Sequence, residues 1–82
     1  MNDQDILKKV TQMLRDLLSD DSIVLTMETK REDVANWDSS AYGSFIVAVE
    51  IEFGLKFRVA EVESFPNVGA IVRKISTVMP AR

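Results

Sequence analysis

Three segments of this chain place apolar residues at spacings of three and four, which is the period of an amphipathic α-helix. They span about residues 3–18, 39–53 and 67–78. Their apolar faces comprise Ile6, Val10, Met13, Leu14 and Leu17; Tyr42, Phe45, Ile46, Val49 and Phe53; and Val68, Ile71, Val72, Ile75 and Met79. A chain of 82 residues that devotes half its length to such helices can form one small helical bundle. We therefore predict a single all-α domain over residues 1–82.

Residues with strong capping preferences flank the three segments. The candidate N-caps, in chain order, are Asn2 or Asp3, Asp38 or Ser39, and Asn67. Gly54 follows the second helix, where glycine favours the left-handed closing turn, and Pro80 would stop the last helix. A further helical turn at about 60–64 completes the prediction of a four-helix bundle with three long helices and one short helix.

A long segment without helical periodicity, residues 19–37, separates the first two helices. It contains the charged, solvated stretch 30–33 and five scattered apolar residues, namely Ile23, Leu25, Met27, Val34 and Trp37. Long loops in small domains are usually functional or held down by their own side chains. We predict an ordered loop held by those five anchors. The alternation in 23–27 would also suit a short strand, but no neighbouring segment offers a partner strand.

The chain contains neither cysteine nor histidine, and this excludes most catalytic arrangements. Disulfides, thiol nucleophiles and Ser-His-Asp triads are impossible, and the commonest metal ligand is missing. The three glycines, Gly43, Gly54 and Gly69, are isolated, so no glycine-rich phosphate loop exists. We therefore expect that the protein has no catalytic residue and no metal site, and that it is not an enzyme. The net charge of −3 also argues against binding to nucleic acid.

The N-terminal residues Met1–Asp5 are acidic and polar, unlike a signal or transit peptide. The longest purely apolar run, Phe45–Val49, has five residues, whereas a membrane-spanning helix needs about 20. We expect a complete, cytoplasmic protein without a membrane span.

The motif Trp37-Asp38-Ser39-Ser40 leads directly into the second helix. A serine at a helix N-terminus is exposed, and the free backbone N–H groups together with the helix dipole favour a phosphate there. Taken alone, the motif is explained more simply by a helix cap at Asp38 or Ser39.

From Trp37 to Ile75 the sequence resembles the acyl carrier and peptidyl carrier proteins, whose signature is Asp-Ser-Leu at the start of the second helix. Phe53 lies fourteen residues after Ser39, which is the spacing of that family. The stretch Val49–Phe57 is similar to the Leu-Glu-Glu-Glu-Phe-Gly-Ile-x-Phe that is common in free-standing carriers. The fold implied by the resemblance is the four-helix bundle of acyl carrier proteins.

The resemblance implies that Ser39 accepts a covalent 4′-phosphopantetheine arm, with Ser40 as an alternative attachment point. Asp38 would help to dock the modifying enzyme or to position its metal. The implied partners are a phosphopantetheinyl transferase and enzymes that load and transfer acyl or aminoacyl groups. The implied function is that of a monomeric acyl carrier in specialised lipid, polyketide or related biosynthesis.

Three residues depart from the family pattern. Ser40 stands where leucine is usual, Gly43 where a branched apolar residue is frequent, and Ser44 where an acidic residue is frequent. We expect these residues and Glu50 to bind partner proteins over a smaller and less acidic surface than is usual in the family. Residues 32–63 nevertheless carry seven acidic and two basic side chains, a net charge of −5, which suits basic partner surfaces. The departures also allow a second interpretation, a carrier-like module that is never modified and only binds protein partners.

Overall fold

The computed structural model describes residues 2–78, and within them every regular element is helical. The elements in chain order are α1 (Asp3–Leu18), a 3₁₀ turn (Arg31–Asp33), α2 (Ser39–Phe53), α3 (Val59–Ser64) and α4 (Val68–Val78). The prediction of an all-α fold with three long helices and one short helix is confirmed. The expected roles of Met79 on the inner face and Pro80 as the stop of α4 concern residues outside the described range. No helix within that range combines the length and apolar character that crossing a membrane requires.

The core lies where α1 packs against both α2 and α4. Its buried apolar side chains are Ile6, Val10, Leu14, Ile23, Leu25, Trp37, Phe45, Ile46, Val49, Val68, Ile71, Val72 and Ile75. Each side chain of this size contributes on the order of 1.5–3 kcal/mol when fully buried. The predicted face of α1 is wrong at Leu17, which is 40% exposed. Leu18, four residues after Leu14, packs against the core instead.

Side-chain caps mark where α2 and α4 begin, and a backbone cap marks where α2 ends. Asp38 is the N-cap of α2, since its Oδ1 accepts the Ala41 N–H at 2.8 Å. Gly54 closes α2 with a left-handed φ of 66°, and its N–H donates to the carbonyl of Glu50. Asn67 caps α4 through its side-chain oxygen. Of the two candidates at the start of α2, the structure therefore selects Asp38 and leaves Ser39 as the first helical residue.

The loop between α1 and α2 is ordered and packed against the bundle, as predicted. Ile23, Leu25 and Trp37 are buried, while Met27 and Val34 are half-buried against the core. The strand considered for residues 23–27 does not form. The charged stretch 30–33 is exposed, as predicted, but it also contains the 3₁₀ turn, which was not predicted.

The loop also completes the N-terminus of α4. The N–H of Val68 donates to the carbonyl of Thr29, and the N–H of Gly69 donates to the carbonyl of Met27, both at 2.8 Å. The first N–H groups of a helix have no partner within the helix. Here two of them are satisfied by a loop that lies some forty residues earlier in the chain.

The short helix α3 has no buried residue and is the most thinly packed of the helices. It is attached to α4 by an ion pair between Glu61 and Lys74 with an N–O distance of 2.6 Å. Phe57 and Phe65, which flank α3, pack edge to face with ring centroids 5.5 Å apart. The ion pair to α4 and the ring contact between its flanking residues therefore hold α3 in place, although none of its own residues is buried.

Candidate functional site

Ser39 lies at the surface as the first residue of α2. The preceding Asp38 is exposed and has its carboxylate engaged with the backbone of α2. Because the positive end of the helix dipole and the unpaired backbone N–H groups meet at this point, the position favours an anion. The arrangement therefore presents a primary hydroxyl to solvent at the positive end of a helix dipole, next to the negative charge of the Asp38 carboxylate.

The chain reaches Ser39 through a sharp turn at Asn36, whose φ is +68°. Asparagine is one of the few residues with a side chain that adopt this left-handed conformation readily. After the turn, Trp37 is buried and Asp38 is exposed. The carbonyl of Trp37 accepts a hydrogen bond from Arg31 Nη1 at 3.3 Å, which ties the turn to the 3₁₀ segment.

An aromatic cluster lies directly beside the hydroxyl-bearing end of α2. The ring centroid of Trp37 is 5.8 Å from that of Tyr42 and 5.3 Å from that of Phe45. Tyr42 Oη donates to the carbonyl of Val62 in α3 at 2.9 Å, and the guanidinium carbon of Arg31 lies 5.9 Å from the centre of the Tyr42 ring. Tyr42, one turn after Ser39, therefore links α2 to both α3 and the long loop.

Burial raises the pKa of the Tyr42 hydroxyl, and the nearby positive charge of Arg31 offsets part of that rise. The predicted place of Tyr42 on the apolar face of α2 is confirmed by its half-buried position. Arg31 and Val62 were not predicted as neighbours of the site. Arg31 was part of an exposed charged stretch and Val62 contributes only a backbone oxygen, so neither carried a local signal.

The residues predicted to bind partners occupy one exposed face of α2. Ser40, Gly43 and Ser44 are all exposed at helical spacing, and a Cβ placed on Gly43 would meet no atom within 4 Å. The same face continues through Val47, which is 53% exposed, and Ile51, which is 78% exposed. The face is thus made of small and apolar side chains.

Glu50 differs from the other predicted partner-binding residues. It is half-buried, and its Oε2 accepts the backbone N–H of Phe57 at 2.8 Å. This bond fastens the segment after α2 to the last turn of the helix. The proposed partner contact at Glu50 stays a prediction, and the residue has in addition a structural task that the sequence did not indicate.

Most of the acidic residues in 32–63 are likewise engaged within the protein. Those with a hydrogen bond or ion pair are Asp33, Asp38, Glu50, Glu52 and Glu61. Glu52 pairs with Lys9 of α1 at 2.9 Å, while the hydrogen bond from Lys74 lowers the pKa of Glu61. Because these two carboxylates are paired with lysines, the acidic excess presented to a partner is smaller than the sequence count suggests.

Comparison with known proteins gives a match among solved structures. No family model matches the chain, and no curated protein matches it. Among solved structures, it is similar to the solution NMR structure of a holo acyl carrier protein from Geobacter metallireducens, with 35% sequence identity and a TM-score of 0.81. The match covers 88% of this chain and 83% of that chain.

Proposed function

The chain belongs to the acyl carrier protein family, and from that premise we propose that it is a carrier whose Ser39 bears a 4′-phosphopantetheine arm. The observation that carries the proposal is the exposed position of Ser39 as the first residue of α2, directly after the N-cap Asp38. The role proposed for Asp38 is to hold the end of the helix and to contribute a negative charge to recognition by the modifying enzyme.

Attachment requires a phosphopantetheinyl transferase and coenzyme A. Ser39 Oγ attacks the phosphorus atom that carries the pantetheine group. The new oxygen–phosphorus bond forms as the bond from that phosphorus to adenosine 3′,5′-bisphosphate breaks, and the hydroxyl proton passes to a base of the transferase. The N-terminus of α2 favours the phosphodiester charge that results.

The residues around Ser39 fit such a group. Ser40 and Gly43 are exposed, and the open space at Gly43 leaves the surface beside the hydroxyl bare. When bound, the arm supplies a thiol that carries an acyl or aminoacyl group as a thioester. The chain itself contributes a rigid attachment point, which explains how a protein without cysteine or histidine takes part in acyl chemistry.

The proposed partners, besides the transferase, are enzymes that load and transfer acyl or aminoacyl groups. We assign contacts with them to the face of α2 that holds Ser40, Gly43 and Ser44, with Glu50 at its edge. The proposed setting is a cytoplasmic pathway for specialised lipids, polyketides or related compounds, in which the protein acts as a monomer.

Intact-mass measurement tests the proposal. After incubation with coenzyme A and a broad-specificity transferase, the wild-type protein should gain the mass of one phosphopantetheine. Ser39→Ala should gain none, whereas the matched control Ser40→Ala should be modified like the wild type. A gain that persists in Ser39→Ala and disappears in Ser40→Ala would move the attachment point by one residue. An unmodified wild-type protein would contradict the proposal and favour a module that only binds partners.

A further inference from the structure

One buried polar group near Ser39 has no hydrogen-bond partner in the part of the chain that the structure describes. Trp37 is 3% exposed, and its indole Nε1 finds no hydrogen-bond acceptor among residues 2–78. Buried donors are nearly always paired because desolvating an N–H without a replacement bond is unfavourable. A tryptophan in this position would normally have its N–H directed to a backbone carbonyl or a side-chain oxygen.

The position of this donor relates it to the proposed attachment site. Trp37 lies two residues before Ser39, next to the aromatic rings of Tyr42 and Phe45. On the α3 side, Tyr42 is held by a single side-chain hydrogen bond, to the carbonyl of Val62. No residue of α3 is buried, so α3 should move away from the Trp37 and Tyr42 rings more easily than the other helices would.

We propose that Trp37 Nε1 is a hydrogen-bond donor to a neutral oxygen that the group attached at Ser39 brings to it. This inference rests on the proposed function. The acceptor would be either an amide carbonyl of the arm or a carbonyl or hydroxyl oxygen of the cargo. The oxygen is neutral because the neighbouring aromatic rings would not compensate the desolvation of a charged group. Where the acceptor lies in the cargo, Trp37 acts as a specificity-determining residue that favours a cargo with an oxygen atom at that point over one with only a hydrocarbon chain there.

The chain has one tryptophan, so a ¹⁵N-labelled sample gives a single indole N–H resonance. The resonance is compared in four states of the full chain: unmodified, bearing the arm alone, loaded with a saturated acyl group, and loaded with a 3-hydroxyacyl group of the same length. Intact mass verifies each state beforehand. A failure of attachment, which concerns the proposed function, is therefore recognised separately from a failure of this inference.

In the states that supply the acceptor, the resonance should move downfield and its exchange with solvent should slow by roughly 2- to 10-fold, the range expected for one hydrogen bond. A change that is already present with the arm alone assigns the acceptor to the arm. A change that appears equally with both acyl groups assigns it to the thioester carbonyl, and one that is confined to the 3-hydroxyacyl form assigns it to the cargo hydroxyl. The same shift and the same exchange rate in all four states would overturn the inference.

Trp37→Phe provides an independent comparison, since it keeps an aromatic ring and removes the donor. If the acceptor belongs to the cargo, the wild-type protein should be stabilised more by the 3-hydroxyacyl group than by the saturated group, and Trp37→Phe should lose this difference. A difference of equal size in both proteins would overturn the assignment to Trp37. Since the NMR comparison uses the wild-type protein, the test still stands if the variant does not fold.

Discussion

The backbone N–H of Gly69 donates a 2.8 Å hydrogen bond to the carbonyl oxygen of Met27, and no other residue would allow the loop and α4 to approach so closely. A Cβ built on Gly69 would lie well inside the contact distance of that oxygen. Glycine at position 69 is therefore required by packing between the loop and α4, although its φ is one that any residue can adopt.

Gly69→Ala should lower the free energy of unfolding by about 1–3 kcal/mol, because the backbone must shift to relieve the overlap. Gly43→Ala is the matched control. It lies inside α2 with open space around it, so alanine should raise stability by about 0.5–1 kcal/mol through its lower conformational entropy in the unfolded chain. Urea unfolding of both variants measures the two effects, and changes of the same sign would refute this account.

Substitutions at Asp38 separate its capping role from its charge. Asp38→Ala should lower the free energy of unfolding by about 1 kcal/mol, since the Ala41 N–H loses its acceptor, whereas Asp38→Asn should retain the cap. If the negative charge helps to recruit the transferase, both variants should be modified with a lower kcat/KM than the wild type. Wild-type modification kinetics in Asp38→Asn would show that Asp38 acts only as a cap.

We expect Glu50 to contribute to the stability of the protein through its bond to Phe57, whether or not it also contacts a partner. Glu50→Ala leaves the Phe57 N–H without its acceptor and should lower the free energy of unfolding by about 1 kcal/mol. Glu50→Gln keeps an acceptor oxygen and should lose less. Glu63→Ala, an exposed acid in α3, serves as a control and should change stability by less than about 0.5 kcal/mol. If Glu50→Ala is as stable as this control, the bond to Phe57 contributes nothing.

Tyr42 is the chain's one tyrosine, so its ionisation can be followed by phenolate absorbance. Burial raises its pKa above the ordinary value of 10.0, and the titration midpoint of the folded protein should lie above that value. Because the folded state binds this proton more tightly than the unfolded state, the associated stability is fully present below pH 10.0 and is lost as pH rises through the folded-state pKa.

Replacing this residue provides the control. Tyr42→Phe should remove the dependence of stability on its ionisation and, at neutral pH, should lower stability by about 1 kcal/mol through loss of the bond to Val62. A midpoint at or below 10.0 in the folded wild-type protein would contradict the burial that the structure assigns to this side chain.

The parts of the fold that sequence analysis predicted are those specified by neighbouring residues. Asp38 and Gly54 mark the ends of α2 through contacts that span only a few positions, and the same local logic places Ser39 at the helix start. The bond from Tyr42 to Val62 and the one from Glu50 to Phe57 depend on how separate elements meet. Periodicity and capping preferences carry no information about such contacts, so the surroundings of the candidate site could not be predicted from the sequence.

The left-handed turn at Asn36 limits which sequences can build this approach to α2. Glycine, asparagine and aspartate tolerate such a backbone, whereas β-branched residues strongly resist it. Natural variation at this position should consequently favour that small set, even where the surrounding loop diverges freely. A search for distant relatives would gain discrimination by giving weight to these three residues immediately before the buried aromatic position.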